Sequence, residues 1–98
     1  MKVVVLGAGL MGKEAARDLV NSTNVEQVFL ADLQVEQVQA FKDKIKSDKI
    51  EAARLDANND AQLKEVMSKG DVVINALFYS FNEKVARIAV EIGVHTVD

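Results

Sequence analysis

At 98 residues the chain makes one domain, burying roughly 60–65% of its unfolded surface, and leaves no room for a second. Twelve basic against fifteen acidic side chains give a net charge of −3, which supplies no positive field for sequence-independent nucleic-acid binding. The lack of cysteine excludes disulfides, thiolate nucleophiles and Cys-based metal sites and suits a reducing cytoplasm.

No apolar run approaches the roughly 20 residues that span a bilayer. The opening run at Val3 is short, and Lys2 alone is a poor head for a signal peptide. Zero proline and five glycines argue against linkers and disorder.

The chain opens on Val3-Val4-Val5-Leu6, four large apolar residues of which three are β-branched. Such a run fits a central parallel strand covered on both faces. It breaks into Gly7-Ala8-Gly9-Leu10-Met11-Gly12, a G-x-G-x-x-G spacing in which each glycine has a mechanical task in a dinucleotide site. Gly7 makes the tight turn, Gly9 lets a pyrophosphate approach the backbone, and Gly12 lets helix pack closely on strand. The following helix, with Met11, Ala15, Leu19 and Gly12, Ala16, Val20 at helical spacing, points its free N–H groups and positive dipole end at the same spot. That end favours an anion by roughly 0.3–1 kcal/mol before hydrogen bonds are added.

The polar cluster Asn21-Ser22-Thr23-Asn24 ends that helix, and a second strand, Val28-Phe29-Leu30-Ala31, runs to Asp32, 20 residues past Gly12. A carboxylate there can accept both ribose hydroxyls of an adenosine and repel a 2′-phosphate, which favours NAD over NADP; the alternative is that it caps the next helix. No Lys or Arg follows before Lys42 to clamp an extra phosphate. Lys13 reads as a solvated side chain in preference to a phosphate ligand.

The second helix carries Val35, Val38, Phe41 and Ile45 on one face. A third strand, Ile50 to Leu55, includes Glu51 and Arg54, and charges inside a strand suit a sheet edge. Asp56 and Ala57 then stand either beside an adenine ring or in a capping turn. The turn through Asp60 offers caps for a short helix bearing Leu63, Val66 and Met67, closed by Gly70.

A fourth strand, Val72-Val73-Ile74, ends at Asn75-Ala76-Leu77. These residues either approach the pyrophosphate or nicotinamide ribose across the switch point or pack the strand end. Ser80 and Glu83 are spaced as a capping box for a helix with Val85, Ile88, Ala89 and Ile92 on its apolar side and Gly93 as its left-handed stop. Phe78, Tyr79 and Phe81, near its start, either cover the nicotinamide side or serve as core and interface residues. The last strand, Val94 to Val97, ends at Asp98, on the rim where ligands of such sheets bind; the stop is read as a sign of an excised or truncated domain. His95 has no Ser, Cys or second His with which to form a catalytic set, and nothing gathers into a metal site.

The alternation of strands and helices predicts an α/β, Rossmann-type doubly wound parallel sheet over residues 1–98, five strands in the order 3-2-1-4-5 with helices on both faces. Candidate cofactor residues are Gly7, Gly9, Leu10, Met11, Gly12, Asp32, Asp56, Ala57, Asn75, Ala76 and Leu77; no catalytic residue and no metal ligand is assigned.

The glycine segment, Ala31-Asp32, Leu55-Asp56-Ala57, Asn75-Ala76-Leu77 and the closing Gly93-Val94-His95-Thr96-Val97-Asp98 together resemble the saccharopine dehydrogenase family, and within it the lysine 6-dehydrogenase branch. The likeness covers the whole chain, its specificity resting on the later motifs. It implies a cytoplasmic, homo-oligomeric enzyme that moves hydride between a carbon–nitrogen bond of an amino acid, lysine or a lysine adduct, and a nicotinamide cofactor. Its substrate-binding and catalytic groups would lie in a second domain, leaving this one able to bind cofactor but inert alone. A competing reading is a non-catalytic nucleotide sensor of the kind found in potassium-transport proteins. An FAD-binding half or a methyltransferase fits less well, because no long insertion follows Asp32 and no acid precedes Gly7.

Overall fold

The computed structural model describes residues 1–97; Asp98, and with it the reading placed on the chain's stop there, lies outside the described residues. Five strands form one parallel sheet in the order β3-β2-β1-β4-β5: β1 (Lys2–Leu6), β2 (Gln27–Asp32), β3 (Ile50–Arg54), β4 (Val72–Asn75) and β5 (His95–Val97). The helices α1 (Leu10–Val20), α2 (Val35–Ile45), α3 (Asp60–Met67) and α4 (Asn82–Ile92) alternate with them, and a single 3₁₀ turn, Tyr79–Phe81, precedes α4. This is the expected doubly wound order, with β3, the strand that carries Glu51 and Arg54, at an edge.

The apolar run of β1 follows from its place at the centre of the sheet. Successive strand side chains point to opposite faces, so Val3 and Val5 join a core with Ala16 of α1 and Val38 and Phe41 of α2. Val4 and Leu6 join the opposite core with Leu63 and Met67 of α3 and Val85 and Ile88 of α4. All four strand residues are buried. Either layer is vulnerable to truncation: Leu63→Ala would cost about 2–5 kcal/mol, transfer and cavity together.

Registers Val5↔Leu30 and Val5↔Ile74 fix the ends of β2 and β4 on either side of β1. The crevice therefore opens above β1, where the strand order reverses and ligands of such sheets bind.

Three local expectations are corrected. Ser80 and Glu83 do not form a capping box: the chain enters α4 through the 3₁₀ turn, and no side chain caps Phe81, the residue before the helix, among the described residues. The turn follows the backbone of Phe78, whose carbonyl accepts from the Phe81 N–H at 2.9 Å. Gly70 does not stop α3, which ends at Met67 with Ser68 as its cap. Gly70 is instead a contact glycine: a Cβ there would meet Val4 Cγ2 at 2.9 Å and the Lys2 carbonyl at 3.0 Å. The last strand begins at His95 and not at Val94, because the N–H groups of both Gly93 and Val94 are taken by Ala89 at the end of α4. Gly93 itself is the left-handed stop expected, at φ 75°. Among the described residues no helix is long and apolar enough to cross a membrane.

Candidate dinucleotide site

The turn after β1 is shaped by what its glycines lack. Gly7 has φ +97°, a conformation L side chains rarely adopt, and a Cβ on it would lie 2.8 Å from the Ala76 carbonyl oxygen. Its N–H donates to the Ala31 carbonyl at 2.7 Å, which locks the turn onto β2. Gly12 is tighter still: a Cβ would sit 1.8 Å from the Gly7 carbonyl oxygen, so α1 can rest on the turn only because that atom is missing. Gly9 differs from both. A Cβ there would meet no atom within 4 Å and would project into open space.

That space is a groove of about 450 Å³ at the top of β1. Gly7, Gly9, Leu10 and Met11 form one wall, Ala76, Leu77 and Phe78 the other, and Asp32 stands in it beside them. Gly9 is also the residue before α1, with no side-chain cap and no acidic side chain in the helix's first turn among the described residues. The first N–H groups of a helix lack intrahelical partners. Here they meet the groove with nothing placed to satisfy them but solvent or a ligand, and the dipole selects an anion. A pyrophosphate fits the cradle: bare backbone, a positive helix end, and room where Gly9 has no Cβ.

Asp32 holds the cradle together. Its Oδ2 accepts from the Ala8 N–H at 2.8 Å and its Oδ1 from the Gln34 N–H at 2.9 Å. The bond to Gln34 is a turn two residues on, ahead of α2, so Asp32 does not cap the helix itself; that position falls to Gln34. A carboxylate offers about four acceptor positions, and two remain for ribose hydroxyls.

The other predicted residues fall around the groove and not in its lining. Asp56 turns to its own loop, its Oδ1 accepting from the Asn58 N–H at 3.0 Å, while its N–H donates to Gln62 Oε1 at 2.6 Å. The Ala57 carbonyl accepts from Lys84 Nζ at 3.2 Å. Asn75 is 6% exposed; its Nδ2 donates to Asn82 Oδ1 at 2.9 Å and its Oδ1 accepts from the Leu77 N–H at 3.1 Å. Gly12 lies behind the groove, packed on Gly7.

The aromatics divide. Phe78 lines the groove at 80% exposure and Tyr79 is 87% exposed, whereas Phe81 packs against the core formed with α3 and α4. With Leu10 and Met11, 77% and 74% exposed, Phe78 makes the groove's rim apolar.

Sequence reading missed Asn82, Lys84 and Gln62, which fasten the two flanking loops. One signal was available: a polar residue at the end of a buried strand needs a partner. Among the described residues every buried side-chain nitrogen and oxygen has one.

A parallel sheet whose switch point carries a glycine cradle under a helix N-terminus, with an acid closing the second strand, defines a dinucleotide-binding Rossmann domain. The chain belongs to the family described as the saccharopine dehydrogenase NADP binding domain, whose model matches residues 3–98. It is therefore an NAD(P)-binding domain of the saccharopine dehydrogenase type.

Among solved structures it is similar to the apo saccharopine dehydrogenase (L-Glu forming) of Saccharomyces cerevisiae, at 25% identity and a TM-score of 0.84 over 97% of this chain and 20% of that one. Two more distant likenesses show the fold alone. A short-chain dehydrogenase/reductase from Veillonella parvula in complex with NADP gives a TM-score of 0.77 at 14% identity, over 97% of this chain and 45% of that one. The scyllo-inositol dehydrogenase of Lactobacillus casei with bound NAD(H) gives 0.75 at 16%, over 98% and 26%. Among curated proteins, one from Methanocaldococcus jannaschii, provisionally named a precorrin-2 dehydrogenase, is 23% identical over 94% of this chain. The chain spans 44% of that relative's length.

Proposed function

We propose that the groove binds NAD in preference to NADP and that the chain is the cofactor half of a cytoplasmic, homo-oligomeric enzyme. That enzyme moves hydride between nicotinamide and the carbon–nitrogen bond of an amino acid of the lysine or saccharopine type. The single observation that carries the reading is Gly9: its missing Cβ opens onto the groove at an uncapped helix end, with the Asp32 carboxylate alongside. Bound there, the dinucleotide would supply the hydride donor or acceptor, and the protein's part is to place it. Gly7, Gly9, Leu10, Met11 and Gly12 would form the pyrophosphate cradle and Asp32 would take the ribose. Ala76 and Leu77 would form the opposite wall, with Asp56, Ala57 and Asn75 shaping the loops at its sides.

The preference for NAD rests on charge. Like charges 4 Å apart repel by about 1 kcal/mol per unit pair even at the dielectric of water, and a 2′-phosphate carries nearly two. Asp32, held by two backbone N–H groups, is not free to turn away. The family's printed description names NADP, which makes cofactor choice the first thing to measure. Titration of the chain with NADH and NADPH, followed by nicotinamide fluorescence or calorimetry, should give NADH the tighter binding by about tenfold or more. Equal or tighter NADPH binding would reverse the cofactor assignment, and binding of neither would remove the site. With lysine or saccharopine and NAD the chain alone should show no turnover, because the substrate pocket would be supplied from elsewhere in the enzyme.

A further inference from the structure

We infer that Asn82, on the first turn of α4, is a positioning residue for the nicotinamide half of the bound dinucleotide, acting through Asn75. The inference rests on the dinucleotide reading above and adds to it a residue that never touches the ligand. Its basis is a relay of two bonds. Asn82 Oδ1 accepts from Asn75 Nδ2 at 2.9 Å, and Asn75 Oδ1 accepts from the Leu77 N–H at 3.1 Å. The Asn75 side chain is almost fully buried, so its amide can turn only by abandoning both partners.

The relay ends on the wall that matters. On one side Ala76 is tied by its N–H to the Leu6 carbonyl at 2.8 Å. On the other, its carbonyl oxygen lies 2.8 Å from where a Gly7 Cβ would be. Ala76 and Leu77 line the groove, and the Leu77 N–H is fixed by Asn75. The Leu77 end of the β4 wall is thus held by an amide that Asn82 orients. Amide geometry makes the assignment directional: with Oδ1 of Asn75 committed to Leu77, its Nδ2 must find an acceptor, and Asn82 supplies one. A carboxylate at position 82 would do the same; an aliphatic side chain would not.

Because the relay governs the β4 wall and leaves the glycine turn and Asp32 untouched, ADP, which can rest on the turn and Asp32 alone, should be less sensitive to it than NADH, whose nicotinamide half would lie on the β4 side of the switch point. The experiment compares the parent chain with Asn82→Leu, Asn82→Asp and Asn82→Ser. Dissociation constants for NADH and for ADP are measured well below each variant's unfolding midpoint, and exchange of the Leu77 amide is followed by NMR. Loss of one buried neutral hydrogen bond should weaken NADH about five- to tenfold in Asn82→Leu, change ADP less than about twofold, and accelerate Leu77 amide exchange. Asn82→Asp should restore NADH binding and Leu77 protection, and Asn82→Ser, which keeps a shorter acceptor, should fall between them. If Asn82→Leu proves unfolded, the Asp and Ser variants still decide the matter by their order.

An unchanged NADH affinity in Asn82→Leu with a lowered melting temperature would reduce the residue to a structural one. An equal loss of NADH and ADP, or failure of Asp to restore binding, would overturn the relay. A parent chain that binds neither NADH nor ADP would remove the dinucleotide reading, and this inference with it.

Discussion

The turn after β1 and the loops after β3 and β4 stand at the same end of the sheet, yet they treat their backbone in opposite ways. After β3 and β4 the chain spends its polar atoms on itself: Asp56 on Asn58, Gln62 on Asp56, Asn75 on Leu77 and Asn82, Lys84 on Ala57. At Gly9 the chain leaves a helix end without a cap and a position without a side chain, open to a groove. Polar groups satisfied internally give a loop its shape, while a backbone left bare gives a ligand somewhere to bind. The two kinds of loop are complementary: one offers bare backbone to the groove and the loop after β4 forms the wall opposite it.

The sharpest way to break this comparison is to add one methyl group at two positions of the same turn. Gly12→Ala places a Cβ 1.8 Å from the Gly7 carbonyl oxygen, a backbone atom that cannot step aside. The cost should reach about 3 kcal/mol or more, lowering the melting temperature by about 12 °C or more for a domain of this size. Gly9→Ala meets nothing within 4 Å and should cost under about 1 kcal/mol as a poorer helix cap, while NADH affinity falls by about tenfold or more. Thermal unfolding with fluorescence titration separates the two. If Gly9→Ala binds NADH like the parent, the bare backbone is not the cradle.

Asp32→Ala comes next and tests where the two kinds of loop meet, because Asp32 both stabilises the turn and faces the groove. Loss of two hydrogen bonds to a half-exposed carboxylate should cost about 2 kcal/mol. NADH should weaken more than NADPH, so that the ratio of their dissociation constants moves toward unity. An unchanged ratio would mean that the carboxylate only holds the turn. Asp56→Ala sharpens the contrast from the other side: it should cost about 0.5–1 kcal/mol through the Asn58 N–H it strands and leave NADH affinity within about twofold.

How far the sequence foretold all this follows the same division. The glycine spacing, the unbroken apolar run of β1, the edge charges at Glu51 and Arg54 and the acid 20 residues past Gly12 are local patterns, and each is imposed by a local requirement: a covered strand, a turn at φ +97°, a helix resting on backbone. The supporting loops were opaque because their partners are distant in the chain. Lys84 reaches Ala57 across 27 residues, and nothing in either neighbourhood marks it. The Ser80/Glu83 spacing misled because it is compatible with a helix start that the 3₁₀ turn after Phe78 displaces toward Asn82. Asp56 and Asn75 were legible as residues at the carboxyl ends of their strands, but what their side chains do depended on whether Asn58, Leu77 and Asn82 would claim them first.

The smallest expected effect concerns how the loop after β3 is fastened to α4. Asp60 Oδ1 lies 2.9 Å from Lys84 Nζ, and Glu91 Oε1 lies 2.8 Å from Lys64 Nζ. Each carboxyl is held below its ordinary value, chiefly by the hydrogen bond from its lysine and next by that lysine's charge. A carboxyl whose folded value lies below its unfolded one adds stability above the ordinary carboxylate range. That contribution fades as the pH falls toward the lowered folded values. Asp60, Lys64 and Glu91 are exposed and Lys84 is partly buried, so salt should weaken both pairs, that of Lys64 with Glu91 the more. Lys84, however, also donates to the Ala57 carbonyl and lies 5.8 Å from the centre of the Phe81 ring, and neither interaction depends on a carboxylate. Melting temperatures of the parent and Lys84→Met, taken at pH 6 and pH 3 and in low and high salt, divide these contributions. If the ion pair with Asp60 fastens the loop, the gap between parent and variant narrows at pH 3 and in salt. If the gap persists in both, the bond to Ala57 and the contact with Phe81 carry the fastening, and α4 holds the loop after β3 through a backbone carbonyl where it holds the wall after β4 through the Asn75 side chain.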